Sequence, residues 1–429
     1  MIKRGLLSLH YGCKVNQYET NAMTQKFVEN GYKVVHVEEQ SDICVINTCT
    51  VTNMADKKSR QMIRHIKQLN KDAIIVATGC YAQVNRKELE ELDEIDIVVS
   101  NNEKQDIVSI VESKLHFNSA KPIEEEMEFS EFGTVTYTEK TRAVIKVQDG
   151  CNNFCSYCII PYAKGRVRSR KLENVITEIK KIVEKGIKEV VITGIHVASY
   201  GKDFDNDIRL INLLEEINQI EGLKRIRLGS LEPKIITEDF VKRLKKLDKI
   251  CNHFHLSLQS GCNETLKRMN RKYTIEEFQK VTELLRENFE EVALTTDIIV
   301  GFPGETEEEF EMTYKFLEKI KFSKMHVFKY SIRQGTVAAK MPNQIDGTIK
   351  EKRSQKLIEL SNKNEIEFMK NCIGKTIEVL FEEEKEDGYI EGHTTNYVVI
   401  ETKGKDLENT IKKVRVEKLE GNLLKGKIM

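Results

Sequence analysis

Short apolar runs of strand character alternate with amphipathic, helix-like segments through most of this chain. In the first zone, residues 1–117, five such runs occur, at 6–10, 32–37, 42–47, 73–79 and 95–100. Helical periodicity appears between them, at about 17–29, 54–69 and 86–93. Because parallel strands need a crossover connection, usually a helix, this alternation predicts a parallel sheet covered by helices.

The second zone, residues 139–368, repeats the alternation six times. Its strand-like runs lie at 143–148, 189–194, 225–230, 253–258, 293–300 and 324–331. Six strand–helix units are too few for a closed eight-unit barrel, so we expect an open parallel barrel. The intervening segment, 118–138, is acidic and lacks a helical apolar period, which predicts a linker.

The last zone, residues 370–429, carries short strand-like runs separated by turn glycines. Such a pattern predicts a small antiparallel β-barrel. The expected fold class is therefore α/β, with an N-terminal parallel domain, an open (βα)6 barrel and a small C-terminal barrel.

Composition limits the partners of the chain. Lys plus Arg and Asp plus Glu both number 68, so the formal net charge is zero and any basic surface for nucleic acid must be local. No apolar run approaches the ~20 residues that span a bilayer, and no export signal is evident, so we expect a cytoplasmic protein without a membrane partner. In that reducing compartment, ten cysteines favour metal binding or catalysis over disulfides.

Three cysteines of the first zone, Cys13, Cys49 and Cys80, each follow the C-terminal end of a predicted strand. In open α/β sheets those ends form the crevice where ligands bind. Any one of them could be a core or loop thiol, but three at equivalent strand ends favour a site, although their spacing names no metal. Cys44 lies inside a strand and is predicted to be a small buried core residue.

Three further cysteines, Cys151, Cys155 and Cys158, follow the first barrel strand in a C-x3-C-x2-C pattern. Structural zinc is nearly always four-coordinate, yet no further cysteine or histidine follows until His196. An iron–sulfur cluster of four irons held by three thiolates keeps one iron open for a ligand. The pattern therefore favours such a cluster over zinc or an inert loop.

The pattern of Cys151, Cys155, Tyr157 and Cys158 resembles that of radical S-adenosylmethionine enzymes. With "GCKVNQYET", "DGCNNFCSYCIIPYAKGRVRSR" and "RLGSLEP", the chain resembles the methylthiotransferase family over essentially its full length. These segments are most similar to those of the family branch that acts on N6-threonylcarbamoyladenosine at position 37 of tRNA. Relatives that act on isopentenyladenosine, or on an aspartate of a ribosomal protein, share the cysteines and remain alternatives.

The resemblance implies two [4Fe–4S] clusters and S-adenosylmethionine as cofactors. The three barrel cysteines would hold the cluster that binds S-adenosylmethionine, and the three N-terminal cysteines a second cluster that carries the sulfur. One S-adenosylmethionine would donate a methyl group, and another would yield the radical that removes hydrogen from adenine C2. An electron donor and a sulfur source are implied as partners, besides the anticodon loop of tRNA. A competing hypothesis is a non-catalytic iron–sulfur or zinc protein that binds RNA.

Residues near the strand ends of the barrel are expected to lie around S-adenosylmethionine, although ordinary strand-to-helix turns would have similar sequences. The expected cofactor-binding residues are Tyr157, Thr193, Gly194, Ser230, Glu232, Gln259 and Gly301. The Gly-Gly-Glu-like motif of the family is represented only by Thr193 and Gly194. His253 and His255 alternate on one strand and are expected to face the barrel interior.

RNA contact is expected from local basic segments. The last zone resembles a TRAM domain, an RNA-binding barrel, but it is slightly more acidic than basic. The segment 163–171 is basic, and in an extended chain its alternate arginines would project to one side. The expected RNA-binding residues are Lys164, Arg166, Arg168 and Arg170. A second basic run lies at 57–67; either run could instead be a solvated face.

Overall fold

The N-terminal part is a five-stranded parallel sheet with helices on both faces, as the alternation predicts. The structure is a computed structural model that describes residues 5–10, 12–113, 128–138, 141–385 and 388–429. The strands, in the spatial order β2-β1-β3-β4-β5, are β1 Gly5–His10, β2 Lys33–Val34, β3 Ile43–Thr48, β4 Ile74–Gly79 and β5 Ile97–Val98. The helices are α1 Lys14–Glu29, α2 Asn53–Leu69, α3 Cys80–Val84, α4 Arg86–Glu90 and α5 Ile107–Ser113.

The sheet alternates its side chains between two apolar layers. Leu6 and Val45 pack with Phe27 of α1 on one face, and Leu7 and Ile46 lie on the other. The outer strands β2 and β5 are shorter than predicted, because each pairs through only two residues at an edge of the sheet. The C-terminal strand ends nevertheless meet at one side, where a ligand crevice is expected.

The second part contains the six predicted parallel strands of an open barrel. They are β6 Arg142–Asp149, β8 Glu189–Gly194, β9 Arg225–Leu228, β10 His253–Gln259, β11 Ala293–Val300 and β12 Lys324–Lys329. Parallel bridges, including Leu231 with Leu256, connect the β6-β8-β9 group to β10-β11-β12. A short strand that the sequence did not predict, β7 Arg168–Ser169, pairs antiparallel with the end of β6.

Eight helices accompany these strands in the described part of the chain, and most of them cover the outside of the barrel. They are α6 Ile160–Lys164, α7 Leu172–Glu184, α8 Leu210–Asn218, α9 Glu238–Leu244, α10 Asn263–Arg268, α11 Ile275–Asn288, α12 Glu307–Ile320 and α13 Gly347–Lys370. Ile145, Ile192 and Leu256 point outward into the core that the helices complete. Since neighbouring residues of a strand point to opposite faces, polar side chains such as Lys146 and His253 lie on the inner face.

The C-terminal part is a closed five-stranded barrel, as the turn glycines predict. Its strands are β13 Thr376–Glu384, β14 Tyr389–Thr394, β15 Val399–Lys403, β16 Ile411–Glu420 and β17 Leu423–Ile428. All pairings are antiparallel except that of β15 with β17. Val379, Ile400 and Val414 belong to its apolar core.

Two buried arginines of β9 attach the C-terminal barrel to the larger one. Arg227 donates hydrogen bonds to the carbonyls of Thr394 (3.0 Å) and Thr395 (2.9 Å), and Arg225 donates to that of His393 (2.9 Å). The ring of Tyr397, in the same turn, stacks on His253 with centroids 4.8 Å apart. The β14–β15 turn therefore covers the N-terminal ends of the barrel strands.

The predicted linker packs against its neighbours where it is described. Residues 118–127 lie outside the described part, and 128–138 form neither helix nor strand. Val135 is buried, and its amide donates to Glu178 of α7 at 2.8 Å. Within the described ranges, no helix combines the length and apolar character needed to cross a membrane.

Candidate active site

The barrel cysteines lie in a tightly turned loop directly after β6. The Cys151 amide donates to the Gly165 carbonyl (3.0 Å), and the Cys158 amide donates to that of Cys155 (2.9 Å). Gly150 has φ +67°, and a Cβ there would lie 1.7 Å from the Arg166 carbonyl oxygen, so only glycine allows this approach.

Burial and the neighbouring thiols oppose ionisation of two of these cysteines, Cys151 and Cys158. Burial, together with Cys155, raises the pKa of Cys151, and it raises that of Cys158 to about 12. Without a partner these thiols therefore stay protonated at neutral pH. A bound metal centre would stabilise their thiolates, and the loop supplies soft sulfur donors of the kind that iron–sulfur clusters take.

A cation contacts this loop from the far side of the barrel. Arg271 donates from Nη1 to Cys155 Sγ (3.2 Å) and from Nη2 to the Ser257 carbonyl (3.2 Å). Its Nε donates to the hydroxyl of Tyr273 (2.9 Å), which itself donates to the Leu258 carbonyl (2.8 Å). The guanidinium is thereby fixed where it would stabilise negative charge on sulfur.

An ionised carboxylate lies beside the same loop. Glu232 accepts from Asn153 Nδ2 (3.2 Å) and lies 3.0 Å from His196 Nε2. Burial alone would raise its pKa, but the hydrogen bond and charge of His196, with the charge of Arg271, lower the pKa of Glu232 to about 2. Glu232 is therefore a fixed negative group that can accept hydrogen bonds from an ammonium ligand.

The other expected cofactor-binding residues end strands around this loop. Gly194 pairs with Gln148, and a Cβ there would lie 2.9 Å from the Gln148 carbonyl oxygen. Gln259 (φ +73°) and Gly301 (φ +68°) adopt left-handed conformations at the ends of β10 and β11. Neighbouring Thr193 is buried at the end of β8.

Ser230 and Tyr157 complete the expected set. The Ser230 hydroxyl lies 3.2 Å from that of Ser257. Tyr157 packs edge-on against Phe302, with ring centroids 6.4 Å apart, in a small apolar cluster. Its ring therefore supports the cysteine loop from the protein side.

Sequence reasoning missed three residues that touch this site. Asn153 lies inside the cysteine loop and Arg271 follows α10, and no spacing in the sequence assigns either of them a role. His196 was also missed, although its position just after the strand-like run at 189–194 was a signal. His253 and His255 lie in the interior as expected, each 3.0 Å from Thr295 Oγ1.

The three N-terminal cysteines meet at the C-terminal ends of β1, β3 and β4. Cys13 is exposed, whereas Cys49 and Cys80 are buried. Gly12, with φ +97°, packs so closely that a Cβ would lie 2.6 Å from Cys49 Sγ. Burial, with the nearby Cys49 and Cys13 thiols, raises the pKa of Cys80 to about 12. The triad has the same thiol donors and the same need for a compensating metal centre as the barrel loop.

No group of three or more His, Cys, Asp or Glu side chains within the described ranges is spaced to hold a single metal ion. This finding concerns single ions. A four-iron cluster takes its thiolates on separate irons, so it requires a wider triangle of sulfurs.

The expected RNA-binding residues are mostly buried, which corrects the prediction of an exposed basic row. Lys164, Arg168 and Arg170 are 1%, 3% and 1% exposed. Lys164 Nζ lies 2.7 Å from Glu19 Oε1, and Arg168 donates to the Lys164 carbonyl at 3.0 Å. These three cations therefore stabilise the fold.

The prediction is wrong because the segment does not lie extended on the surface. It turns back and pairs with β6 as strand β7. Arg170 pairs with Glu178 of α7 at 3.1 Å. Arg166 alone of the four is exposed, with its guanidinium carbon 4.5 Å from the Phe154 ring centroid. The second basic run lies on α2, where Lys57 and Lys58 are exposed.

Cys44 is fully buried in the sheet, in the layer that includes Ile63. Because Cys44 contributes packing and one hydrogen bond with Ser41 Oγ (3.0 Å), Cys44→Ala should lower the free energy of unfolding by about 1 kcal/mol. The variant should keep the iron content of the wild type, measured by iron and sulfide analysis of the reconstituted protein. Loss of half of the iron would assign Cys44 to a cluster instead.

Three family models match the chain. They are the radical SAM superfamily over residues 145–317, an uncharacterized protein family, UPF0004, over 6–100, and the TRAM domain over 370–429. The threonylcarbamoyladenosine tRNA methylthiotransferase MtaB of Bacillus subtilis is 43% identical, over 95% of this chain and 92% of that protein. MtaB of Aquifex aeolicus is 44% identical, over 92% and 95%. A tRNA-2-methylthio-N(6)-dimethylallyladenosine synthase of Thermoanaerobacter is 38% identical, over 87% and 81%.

A solved structure shares the fold. The radical S-adenosylmethionine methyltransferase TsrM of Kitasatospora setae matches with a TM-score of 0.59 and 16% identity, over 79% of this chain and 74% of that one. At this identity the match shows the fold alone. The sequence identity above 40% to full-length relatives, with three matching domains, decides the family. The chain belongs to the radical S-adenosylmethionine methylthiotransferases, enzymes that transfer sulfur-containing groups.

Proposed function

We propose that this enzyme methylthiolates C2 of N6-threonylcarbamoyladenosine at position 37 of tRNA. The observation that carries the proposal is the presence of two thiol triads at the C-terminal strand ends of two sheets that pack together. Asn101 of the N-terminal part donates to the Ala163 carbonyl (2.8 Å), and Arg333 after β12 pairs with Asp56 of α2 (2.7 Å). Similarity to two proteins named for this substrate supports the choice of base.

The barrel site fits the cofactors of the superfamily. Cys151, Cys155 and Cys158 would hold a [4Fe–4S] cluster, which with S-adenosylmethionine supplies reductive radical chemistry. Arg271 would stabilise the thiolates, and Glu232 would accept hydrogen bonds from the amino group of S-adenosylmethionine. Such a contact would serve in place of the glutamate that the strand-end motif at Thr193 and Gly194 lacks.

The N-terminal site fits a second [4Fe–4S] cluster on Cys13, Cys49 and Cys80. Because Cys13 is exposed, a sulfur donor could reach this site. The two buried cysteines would limit water at the other side. The closed C-terminal barrel would bind the tRNA, an electron donor and a sulfur source would complete turnover, and the enzyme would act in the cytoplasm.

Assay of the purified, reconstituted enzyme on two tRNAs tests the substrate. We expect methylthiolation of tRNA that bears threonylcarbamoyladenosine and none of tRNA that bears isopentenyladenosine, measured by mass analysis of nucleosides. Preference for the isopentenyl substrate would overturn the proposal in favour of the related synthases. Analysis of tRNA from cells with and without the chain gives the same answer in vivo.

Arg166 is the exposed cation of the segment after the cysteine loop, so it is the residue to test for phosphate contact. Arg166→Ala should weaken tRNA binding and reduce the slope of log affinity against log salt by about 0.7–0.9, the release of about one counterion. Titrations of tRNA at several salt concentrations measure this slope. Cleavage of S-adenosylmethionine without tRNA should continue; an unchanged slope would remove Arg166 from the RNA site.

A further inference from the structure

Three lysines converge on one buried glutamate between the two thiol triads. Glu19 of α1 accepts from Lys146 of β6 and from Lys164 of α6, each at 2.7 Å, and it also pairs with Lys104. Lys146 pairs further with Asp149, which lies 3.8 Å from Arg168. All of these side chains are buried. This charge cluster joins the N-terminal part to the barrel.

The charge cluster lies directly beneath the N-terminal triad. Lys104 Nζ donates to Asn47 Oδ1 at 3.2 Å, and Asn47 precedes Cys49 by two residues. Asn47 Nδ2 donates to the carbonyl of Asn16, three residues after Cys13, at 3.0 Å. A Cβ on Gly79, the residue before Cys80, would lie 2.6 Å from Asn47 Oδ1. The loops of all three cysteines therefore touch the polar groups that hold Lys104.

The charges of the cluster do not balance. Four cations, from three lysines and Arg168, face two carboxylates, which leaves an excess of two positive charges in the protein interior. An uncompensated buried charge costs several kcal/mol, so such an excess normally has a counterion. Burial lowers the pKa of Lys104 to about 8, although Glu19 opposes this, so Lys104 keeps its charge at neutral pH.

The excess positive charge of these lysines calls for a neighbouring anionic group. Three thiolates outweigh the charge of an oxidised four-iron core, so an assembled site on the triad is anionic, and reduction or an added sulfide makes it more so. The triad offers a place for that charge, since Lys104 and Lys164 both interact electrostatically with Cys80.

We propose that Lys104 and Lys164 are positioning residues whose buried charges set the reduction potential of the N-terminal cluster and stabilise its sulfur-loaded, more anionic form. The inference rests on the proposed second cluster. It predicts that a change in these charges alters the reduction potential of the cluster. The fold around the three cysteines should stay unchanged.

The test measures the reduction potential of the N-terminal cluster in the absence of the barrel cluster. The full-length chain with Cys151, Cys155 and Cys158 all replaced by Ala is reconstituted with iron and sulfide and titrated by spin-resonance spectroscopy. Lys104→Met removes a positive charge and should shift the midpoint to more negative values, because the reduced form loses stabilisation. Glu19→Gln removes a negative charge and should shift it to more positive values.

Opposite shifts separate electrostatics from damage to the structure, which would move both variants in the same direction. Lys104→Arg keeps the charge and should retain the wild-type midpoint. Lys58→Met removes an exposed charge from α2 and, because water screens it, should leave the midpoint unchanged. If Lys104→Met does not fold, Lys164→Met carries the same test.

The outcomes also separate the inference from the proposed function. Unchanged midpoints in Lys104→Met and Glu19→Gln, with the cluster assembled, would overturn the charge inference alone. A parental triple variant that binds no iron would instead refute the second cluster.

Discussion

Replacing Cys151, Cys155 or Cys158 with Ala is expected to abolish reductive cleavage of S-adenosylmethionine. Each substitution removes one of the three sulfurs that the loop offers. The N-terminal cluster should still assemble, so iron content should fall by about half. Chromatographic measurement of 5′-deoxyadenosine, with iron analysis of the same samples, tests both parts.

Cys262→Ala is the matched control for this experiment. Cys262 is also buried in the barrel, but it lies at the start of α10, away from the cysteine loop. The control should retain both iron content and 5′-deoxyadenosine formation. Wild-type yield of 5′-deoxyadenosine in the Cys151 variant would disprove the assignment of the loop.

Glu189→Ala is expected to cost about 3–5 kcal/mol of stability, because it leaves two buried arginines without their carboxylate. Glu189 lies 2.7 Å from Arg227 Nε and 3.6 Å from Arg225 Nη1, and all three side chains are buried. Those arginines also hold the C-terminal barrel. Hydrogen exchange should therefore show loss of protection in the β14–β15 turn, together with a lower midpoint of denaturant unfolding.

Glu215→Ala provides the comparison, because it breaks the half-exposed pair with Arg243. A surface pair of this kind contributes about 0–1 kcal/mol. Equal destabilisation by the two variants would show that the buried arginines are stabilised by the carbonyls of the C-terminal barrel and need no carboxylate.

Much of the fold could be predicted because the determining signal is local. Alternation of apolar runs with helical periodicity specified the parallel sheets, and the turn glycines specified the small barrel. Strand β7 was missed because two residues give no periodicity, and its pairing with β6 depends on the turn at Gly150 and Gly165. The order of strands in the N-terminal sheet likewise depends on contacts between residues far apart in the sequence, which no local pattern specifies.

The cysteines of the candidate site were predictable from their positions at strand ends, but the charged residues were not. Lys164 and Glu19 are separated by 145 residues, so no local pattern distinguishes this buried lysine from the exposed Arg166. Likewise Arg271 reaches Cys155 across 116 residues. Whether a basic run faces solvent or the interior depends on acidic partners that only the folded chain brings close.

The β14–β15 turn, which contains Tyr397, is bound by Arg225 and Arg227 and fixes the position of the C-terminal barrel relative to the larger barrel. RNA gripped by the C-terminal barrel would be held at a constant span from the two cysteine loops, since Arg225 and Arg227 tie that barrel to β9. The enzyme would then select a nucleotide partly by its distance along the bound RNA from the C-terminal barrel. Lengthening the turn would change which nucleotide is presented without altering the chemistry performed on it.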